Sequence, residues 1–451
     1  MALGAANSQA GNAALISELT GLTHDIFVGR VVNNVRRESK TAMLFQDAQP
    51  GEYRLSGQNM TFAVDLQYKT GALATDGNIP DHVPLDAVQG QLTPVRRYAR
   101  LALDNLVERR ASGPGAFDDL SDRIFDKLWD SWASMEIRHS IGSSTGLLCK
   151  VSSRTSSTVW VAKDGYGNED TNPLTNLAEG SIICWYDVSA SVIGGAGKIT
   201  STGLAYTTNT ITMDAAQTWE TDVGQALAAD DLIYFATTND TDTNYFAGER
   251  NLAPNGLGTI VDPNADNTTV FNISQTTYGR WKPYRQTSTT LDHIELTEHW
   301  LALGAKRGFN VTPEMDVVVS YPSVVAQLAR SLMGFQQQAY TGGSLDGGYQ
   351  QVTISGIPIV EDHFFYHNVA MTLCREKLFR VNLGGDADFW GEDGSMWSRI
   401  ADFDGKEAFV VDYLNYMSNH RGAHGALTGI STDLTDDNFA PIPNYLAVVQ
   451  Q

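Results

Sequence analysis

Residues 116–141 carry the pattern that most constrains the fold. Apolar side chains recur there at intervals of three, four and seven residues, the period of one helix face, at Phe117, Leu120, Ile124, Leu128 and Met135. Asp118 and Asp119 stand near the start, where carboxylates favour the positive end of the helix dipole. Phe125, Trp129 and Trp132 widen the stripe. The pattern predicts a long helix packed on a core, and the aromatic residues indicate packing more than a cofactor site.

A projecting loop is predicted ahead of this helix. Residues 52–68 and 92–104 alternate in the manner of strands. The segment between them, residues 69–91, is polar, interrupted by Gly and Pro, and has no period. Because such a segment has too few apolar residues to bury itself, we expect it to lie across a neighbouring subunit.

Residues 146–250 have a different sequence pattern, typical of short strands. Short strand-like runs such as "STVWVAK", "SIICWYDVS" and "DLIYFATT" alternate with turn-rich spacers, and no helical period intervenes. Residues 146–265 hold five Lys and Arg against fourteen Asp and Glu, a net of −9. The pattern predicts an inserted small β-sandwich or barrel whose acidic surface faces solvent.

Mixed α and β patterns follow residue 251. A helix is predicted over about 290–307, a buried strand in "MDVVVSY", and a second helix opening on Pro322. "QQVTISGIPIVED" predicts a strand pair around Gly356, and "TLCREKLFRVNLG" a further strand. "GKEAFVVDYLNYMS" predicts a long strand near the carboxyl end, and "YTGGSLDGGY" at 340–349 a glycine-rich loop. These patterns indicate an α+β fold with short connections.

Composition excludes several classes of protein. The chain has 451 residues and a formal net charge of −21, which argues against a broad electrostatic grip on nucleic acid. Its start lacks the basic and apolar regions of a signal peptide, and no stretch approaches the ~20 apolar residues of a membrane span. Three scattered cysteines form no CxxC motif. We expect a protein made in the cytosol, with no membrane contact.

Four motifs partly match known metal-binding or phosphate-binding patterns, and none of the matches is complete. His420 and His424 in "NHRGAHGALTG" lie after a strand and lack further ligands for a metal. "VIGGAGKIT" lacks the first glycine and the hydroxyl of a phosphate loop. "DPNADN" lacks the turn glycine and closing glutamate of a calcium loop, and "HFFYH" lies in an aromatic run. The sequence therefore predicts no catalytic, metal-binding or cofactor-binding residues and no enzyme activity.

The densest basic cluster is "RRYAR", which holds Arg96, Arg97 and Arg100 beside the projecting loop. Tyr98 within it would suit stacking on nucleic acid. Ion pairing with an acidic neighbouring subunit is the favoured interpretation, because arginine is preferred at interfaces.

The order of these elements resembles the major capsid proteins of tailed phages with the Hong Kong 97-type fold. Several stretches are also similar to that family in amino-acid sequence, chiefly "APNGLGTIVDP", "YGRWKPY", "MDVVVSYPSVVAQLARSL", "VTISGIPIVEDHFF" and "YLNYMSNHRGAHGALTGIS". They cover roughly residues 250–431, and the earlier part is matched by architecture alone.

The resemblance implies the Hong Kong 97-like capsid fold, an α+β fold with an inserted β domain, divided along the chain. The implied parts are an N-terminal arm (1–50), the E-loop with its flanking strands (51–110), the spine helix of the peripheral domain (111–145), the inserted β domain (146–250), a return to the peripheral domain (251–289), the axial domain (290–400), and a closing peripheral strand with a tail (401–451). It places "NHRGAHGALTG" in the peripheral domain's last strand and turn, with structural histidines, and 340–349 in an axial loop.

The implied function is that of a structural subunit, which assembles as pentamers and hexamers into an icosahedral head around double-stranded DNA. A separate scaffolding protein and a portal are expected partners, a decoration protein is a further one, and DNA would be contacted non-specifically. No cofactor is implied, and the location would be the virion, assembled in the host cytoplasm. Some family members cross-link a loop lysine, and Lys69 stands near the loop base, but no motif here carries that chemistry over.

Other classes remain as alternatives. An encapsulin-type compartment would share the fold, but would need an inner cargo site. A β-rich adhesion or sugar-binding protein would explain the middle of the chain but not its helices. A metal hydrolase would explain the histidine pairs but lacks a ligand set.

Overall fold

The computed structural model describes residues 39–48, 53–56, 59–65, 87–104, 116–163, 174, 177–205, 208–214, 227–236, 250–263, 267–289, 291–307, 316–333, 353–383, 388–389, 398–399 and 405–430. Most of the predicted N-terminal arm, the loop at 340–349 and the tail after residue 430 lie outside these ranges.

Helix α1 (Ala116–Ile141) has the bounds that the periodicity predicted, so that prediction is confirmed. Its buried side chains in the described part join the largest hydrophobic cluster of the protein. Those residues are Trp129, Trp132, Ala133, Ile137 and Ile141. The two indoles bury large apolar areas, which fixes the helix against the sheet beneath it.

That sheet, sheet I, is built around the predicted long strand, β22 (Gly405–Ser418). Strand β5 (Val95–Asp104) pairs with β22 antiparallel over ten residues on one edge. The other strands of sheet I are β1 (Gln46–Asp47), β19 (Leu378–Asn382), β20 (Asp388–Phe389) and β21 (Ser398–Arg399). β1 is parallel to β19, and β19, β20 and β21 each pair with β22.

A three-stranded sheet precedes β5, formed by β2 (Arg54–Ser56), β3 (Asn59–Asp65) and β4 (Ala87–Leu92). The predicted start of the second strand at residue 92 is wrong, because β4 begins at Ala87 and pairs with β3 of its own chain. Residues 87–91 of the predicted projecting loop are therefore held on their own domain. Phe62 fills the space above Gly90, where a Cβ atom would lie 2.5 Å from the ring. Residues 66–86, including Lys69, lie outside the described part.

A second six-stranded sheet, sheet II, has the strand order β14, β23, β18, β15, β17, β16. Its strands are β14 (Tyr284–Thr287), β15 (Val317–Ser320), β16 (Thr353–Ile354), β17 (Ile357–Glu361), β18 (Val369–Leu373) and β23 (Gly425–Thr428). The described residues form three further α-helices, α2 (Leu257–Ile260), α3 (His293–Arg307) and α4 (Pro322–Met333). β12 (Thr269–Val270) pairs with β13 (Ile273–Ser274). α4 begins at Pro322 as predicted.

The strand pairing differs from the predicted domain limits. Residues 378–382, 388–389 and 398–399, assigned to an axial domain, pair with β22 in sheet I. Residues 425–428, assigned to the closing peripheral strand, pair with β14 and β18 in sheet II. The reason is that the chain crosses from sheet II to sheet I through residues 374–377 and returns to sheet II through residues 419–424, two short turns that leave no periodic signal.

The inserted segment forms a closed barrel in the order β10, β7, β6, β11, β8, β9. Its strands are β6 (Cys149–Arg154), β7 (Val159–Lys163), β8 (Ile182–Asp187), β9 (Val192–Ala205), β10 (Thr210–Met213) and β11 (Leu232–Phe235). Trp160 and Trp185 lie in a core separate from the main cluster. Within the described ranges, the barrel strands pair only with one another.

Candidate functional site

The two crossings between the sheets lie side by side and are joined by His424. One crossing runs from β18 to β19 through residues 374–377, and the other from β22 to β23 through residues 419–424. His424 is fully buried, and its Nδ1 accepts a hydrogen bond from the Cys374 N–H at 3.2 Å. Its Nε2 lies 3.0 Å from the Ser418 hydroxyl. His424 thus serves as a structural pin between the crossings.

Arg421 holds the same junction from a second side. Its side chain is fully buried. Nε donates to the Ile260 carbonyl at 2.7 Å, and an Nη donates to the Thr259 carbonyl at 3.0 Å. These carbonyls end helix α2 and have no partner within a helix that short. The guanidinium also lies 5.8 Å from the Trp281 ring centroid, so the cation is enclosed by acceptors and an aromatic face.

The end of α1 contacts α2 through a backbone hydrogen bond. The Gly258 N–H donates to the Gly142 carbonyl at 3.0 Å, and the Tyr366 hydroxyl donates to the Ile141 carbonyl at 3.0 Å. The Asn255 N–H donates to the Asn415 side chain at 2.8 Å, which ties α2 to β22. The junction therefore joins α1, sheet I and sheet II in one hydrogen-bonded unit.

A buried ionic network lies between α1 and sheet I. Arg97 donates to Asp412, directly opposite on β22, and lies 3.7 Å from Glu136 of α1. Arg380 of β19 lies 3.6 Å from the other Glu136 oxygen and 4.0 Å from Asp47 of β1. Opposite charges alternate along the network, which compensates the cost of their burial.

Burial opposes the charged form of Arg97, but Glu136 and then Asp412 outweigh it and raise the pKa of the guanidinium above its ordinary value. Burial and the Glu136 carboxylate raise the pKa of the Tyr416 hydroxyl beside the network. Arg97 is thus a fixed cation inside the chain, 5.2 Å from the Trp132 ring centroid.

This placement corrects the predicted interface role for Arg97, because its side chain is only 3% exposed and is paired within its own chain. Arg96 lies next to it on β5 and is exposed, since successive side chains of a strand point to opposite faces. Arg100 lies in β5 opposite Phe409 of β22. The interface role of Arg96, Arg100 and Lys69 stays a prediction.

The outward face of β5 and β22 is rich in tyrosine. Tyr98 is 51% exposed and Tyr413 is 39% exposed. Tyr98 lies opposite Val411, and Tyr413 lies opposite Arg96. We call these four residues the tyrosine face. It combines exposed aromatic rings with one cation, a composition that is enriched at protein interfaces.

The barrel is attached through two adjacent chain segments. The Asn251 N–H, after the barrel, donates to the Thr145 carbonyl, before it, at 3.0 Å. The Arg138 guanidinium in the last turn of α1 lies 4.8 Å from the Phe235 ring of β11. Arg250 stacks on Tyr186 of β8 at 3.5 Å. A unit whose two ends meet in this way can be inserted without disturbing the fold around it.

The remaining motifs also have structural roles. "VIGGAGKIT" lies in β9, where Gly194 makes room for the Trp185 ring at 2.1 Å from its would-be Cβ atom. Asp262 of "DPNADN" is buried and pairs with Arg285 at 3.1 Å. His367 of "HFFYH" stacks on Tyr321 at 3.8 Å, and burial lowers its pKa to about 4.

Within the described ranges, no three His, Cys, Asp or Glu side chains are grouped so as to hold a metal ion. None of the described helices is long and apolar enough to cross a membrane. Sequence reasoning missed the residues that organise the junction and the network, chiefly Glu136, Arg380, Asp412 and Arg421. The one available signal was Asp412, a charge at an inward position of an otherwise apolar strand.

No family model and no curated protein matches the chain. The chain is similar in structure to a subunit of the Cyanophage A-1(L) capsid, with a TM-score of 0.49 and 12% identity over 87% of this chain and 93% of that one. It is similar to a chain of the satellite phage P4 procapsid, with a TM-score of 0.40 and 10% identity over 94% and 95%. It is also similar to the SrpI encapsulin of Synechococcus elongatus, with a TM-score of 0.41 and 9% identity over 96% and 98%.

Proposed function

We propose that the chain is a major capsid protein, a structural subunit that assembles as pentamers and hexamers into the icosahedral head of a tailed phage. The observation that carries the proposal is the order and packing of the elements. A 26-residue helix lies on a sheet whose longest strand pair, β5 and β22, comes from distant parts of the chain. A strand hairpin precedes the helix, and a second sheet is joined to the first through the junction described above.

In this proposal the domains have the roles that the resemblance implied, with their limits moved to follow the strand pairing. Sheet I with α1 is the core of the peripheral domain, sheet II belongs to the axial domain, and β3 and β4 form the base of the E-loop. The barrel projects from the outer face, because its acidic segment, −9 over residues 146–265, suits solvent. Partners would be further copies of the chain, a scaffolding protein, a portal and a decoration protein.

The net charge of −21 fits a container for DNA. A negative inner wall repels the phosphate backbone and keeps packaged DNA from adhering to it, which allows both filling and release. Contacts with DNA would be non-specific. The subunits themselves must overcome mutual repulsion, so apolar and locally cationic patches have to supply the attraction between them.

The experiment that tests this function is electron microscopy of the full chain expressed with its neighbouring reading frames. We expect closed icosahedral particles that contain DNA when the packaging proteins are present. Particles that hold a protein cargo in place of DNA would favour the encapsulin alternative. Monomers or small oligomers alone, under conditions where a scaffolding protein is supplied, would contradict the proposal.

The tyrosine face is the proposed contact with a neighbouring subunit. We expect an Arg96→Glu variant to fold normally and to lose most assembly, because Arg96 is an exposed cation on a chain whose copies all carry a net charge of −21. Assembly would be measured by sedimentation and light scattering, and folding by circular dichroism.

Arg375→Glu is the matched control, since Arg375 is also exposed and the change in net charge is the same. It should assemble like the parent chain if the position of the charge matters more than its total. Equal assembly of both variants at low and high salt would show that Arg96 makes no such contact.

A further inference from the structure

Residues 39–48 span both sheets, although they form only one short turn and a two-residue strand. At one end, the Ser39 hydroxyl donates to the Asp362 carboxylate at 2.7 Å, and the Thr41 N–H donates to the same oxygen at 2.9 Å. Asp362 directly follows β17 of sheet II and is 3% exposed. All three residues are buried, so these charge-assisted bonds are shielded from water.

The other end of the segment is fixed to sheet I. β1 pairs with β19, and the Ala48 N–H donates to the Arg380 carbonyl at 2.8 Å. The Phe45 ring lies 4.6 Å from the Tyr416 ring of β22. Between the two ends, Ala42 and Leu44 pack against the main hydrophobic cluster. The segment therefore makes specific contacts with each sheet and apolar contacts in between.

The position of Asp362 makes this third connection mechanically distinct. The two short crossings connect to sheet II at β18 and β23, which are adjacent strands. The sheets also share the main hydrophobic cluster, and Tyr366 ties the turn after β17 to the end of α1. β17 lies two strands away from β18, which is about 10 Å at the usual strand spacing. Glu361, next to Asp362, is level with Ala370 and lies at the opposite end of sheet II from Leu373, so the segment attaches away from both crossings and adds to what fixes the orientation of the sheets.

We propose that residues 39–48 are a brace that fixes the angle between sheet I and sheet II, and that Asp362 is the positioning residue that holds its end. The brace itself follows from these contacts. Its consequence rests on the proposed function: the angle between the sheets would set the curvature at which subunits meet, so the brace would control particle size.

The test uses the full chain with spin labels at Ser134→Cys on α1, which packs on sheet I, and at Glu298→Cys on α3, which packs beside sheet II. Both sites are exposed, while the three native cysteines are buried, so labelling is selective. We expect one narrow distance between labels in the parent chain and a broadened or second distance in Asp362→Ala. Amides of residues 41–48 should exchange at least about tenfold faster, since hydrogen bonds to a charged acceptor are lost.

Glu361→Gln is the matched control, because Glu361 makes only a half-exposed ion pair with Lys40 at 3.9 Å. It should leave the label distance unchanged. Ser39→Ala, which keeps the Asp362 carboxylate, decides the matter if Asp362→Ala does not fold, and it should broaden the distance to a lesser degree. An unchanged distance and unchanged exchange at residues 41–48 in the folded variant would overturn the brace.

Particle diameters then separate the two proposals. If the parent chain forms shells, Asp362→Ala should give shells of mixed size or open sheets. If the parent forms no shells at all, the proposed function fails, while the label distances still report on the brace. Shells of one unchanged diameter from a variant with broadened distances would overturn the link to particle size.

Discussion

An Asp412→Ala variant is expected to lose about 3–5 kcal/mol of unfolding free energy, because it leaves a buried arginine without its principal counter-charge. Arg97 is 3% exposed, and Asp412 is the carboxylate to which it donates. Glu136 is 3.7 Å away and is shared with Arg380, so it compensates only in part. Denaturant unfolding would measure the loss.

The barrel provides an internal reference for this measurement, since its core is separate from the cluster under α1. Hydrogen exchange should quicken in β5, β22 and the second half of α1, and remain unchanged in β6 to β11. A difference of less than about 0.5 kcal/mol would show that the Arg97 charge finds compensation elsewhere.

Two further variants identify the physical cause. The double variant Arg97→Met, Asp412→Leu removes both charges and should recover most of the loss, because replacing a whole buried pair by apolar groups is often nearly neutral. Asp47→Ala removes the outer end of the network, where the side chain is 68% exposed, and should change stability by no more than about 1 kcal/mol. An Asp47→Ala variant as unstable as Asp412→Ala would mean that the network acts as one indivisible unit.

Elements with a strong local period were predictable from the sequence. Helix α1 and strand β22 have the bounds that the patterns indicated, because an amphipathic stripe and a β-branched, aromatic run are both encoded by neighbouring residues. The start of α4 at Pro322 is equally local, since the ring of proline suits a first helical turn. Each of these signals depends on neighbouring residues alone, so the packing of the rest of the chain does not alter it.

Pairing between distant segments was not predictable. Arg97 and Asp412 are 315 residues apart, and the sequence near either residue does not indicate that the two pair. The assignment of β19 to sheet I and of β23 to sheet II depends on two turns of four and six residues. Such turns are too short to carry a period, so the pattern could not show that the chain changes sheets there.

The arginine cluster could have been divided from the sequence. Residues 96 and 97 are successive on a predicted strand, so their side chains must point to opposite faces. With one face packed on a core, only one of the two could be at an interface. Which of them is buried depends on register, and Asp412 at an inward position of β22 supplies that information only once the pairing is known.

A Gly256→Ala variant is expected to be destabilised by about 3 kcal/mol or more, the upper end of the cost of overpacking. A Cβ atom on Gly256 would lie 2.2 Å from the His139 carbonyl oxygen, 2.5 Å from that of Gly142 and 2.7 Å from that of Ser140. These are backbone atoms at the end of α1, which cannot rotate away as a flexible side chain could. The methyl group must therefore push α2 off α1 and strain the bonds that Arg421 and Gly258 make there.

Gly279→Ala is the matched control, because its Cβ atom would meet nothing within 4 Å. That variant should be unchanged or up to about 1 kcal/mol more stable, since alanine restricts the unfolded chain. The two substitutions are chemically identical, so opposite signs in denaturant unfolding would isolate the contact between α1 and α2 as the cause. Equal stability of the two variants would show that the end of α1 can move aside without cost.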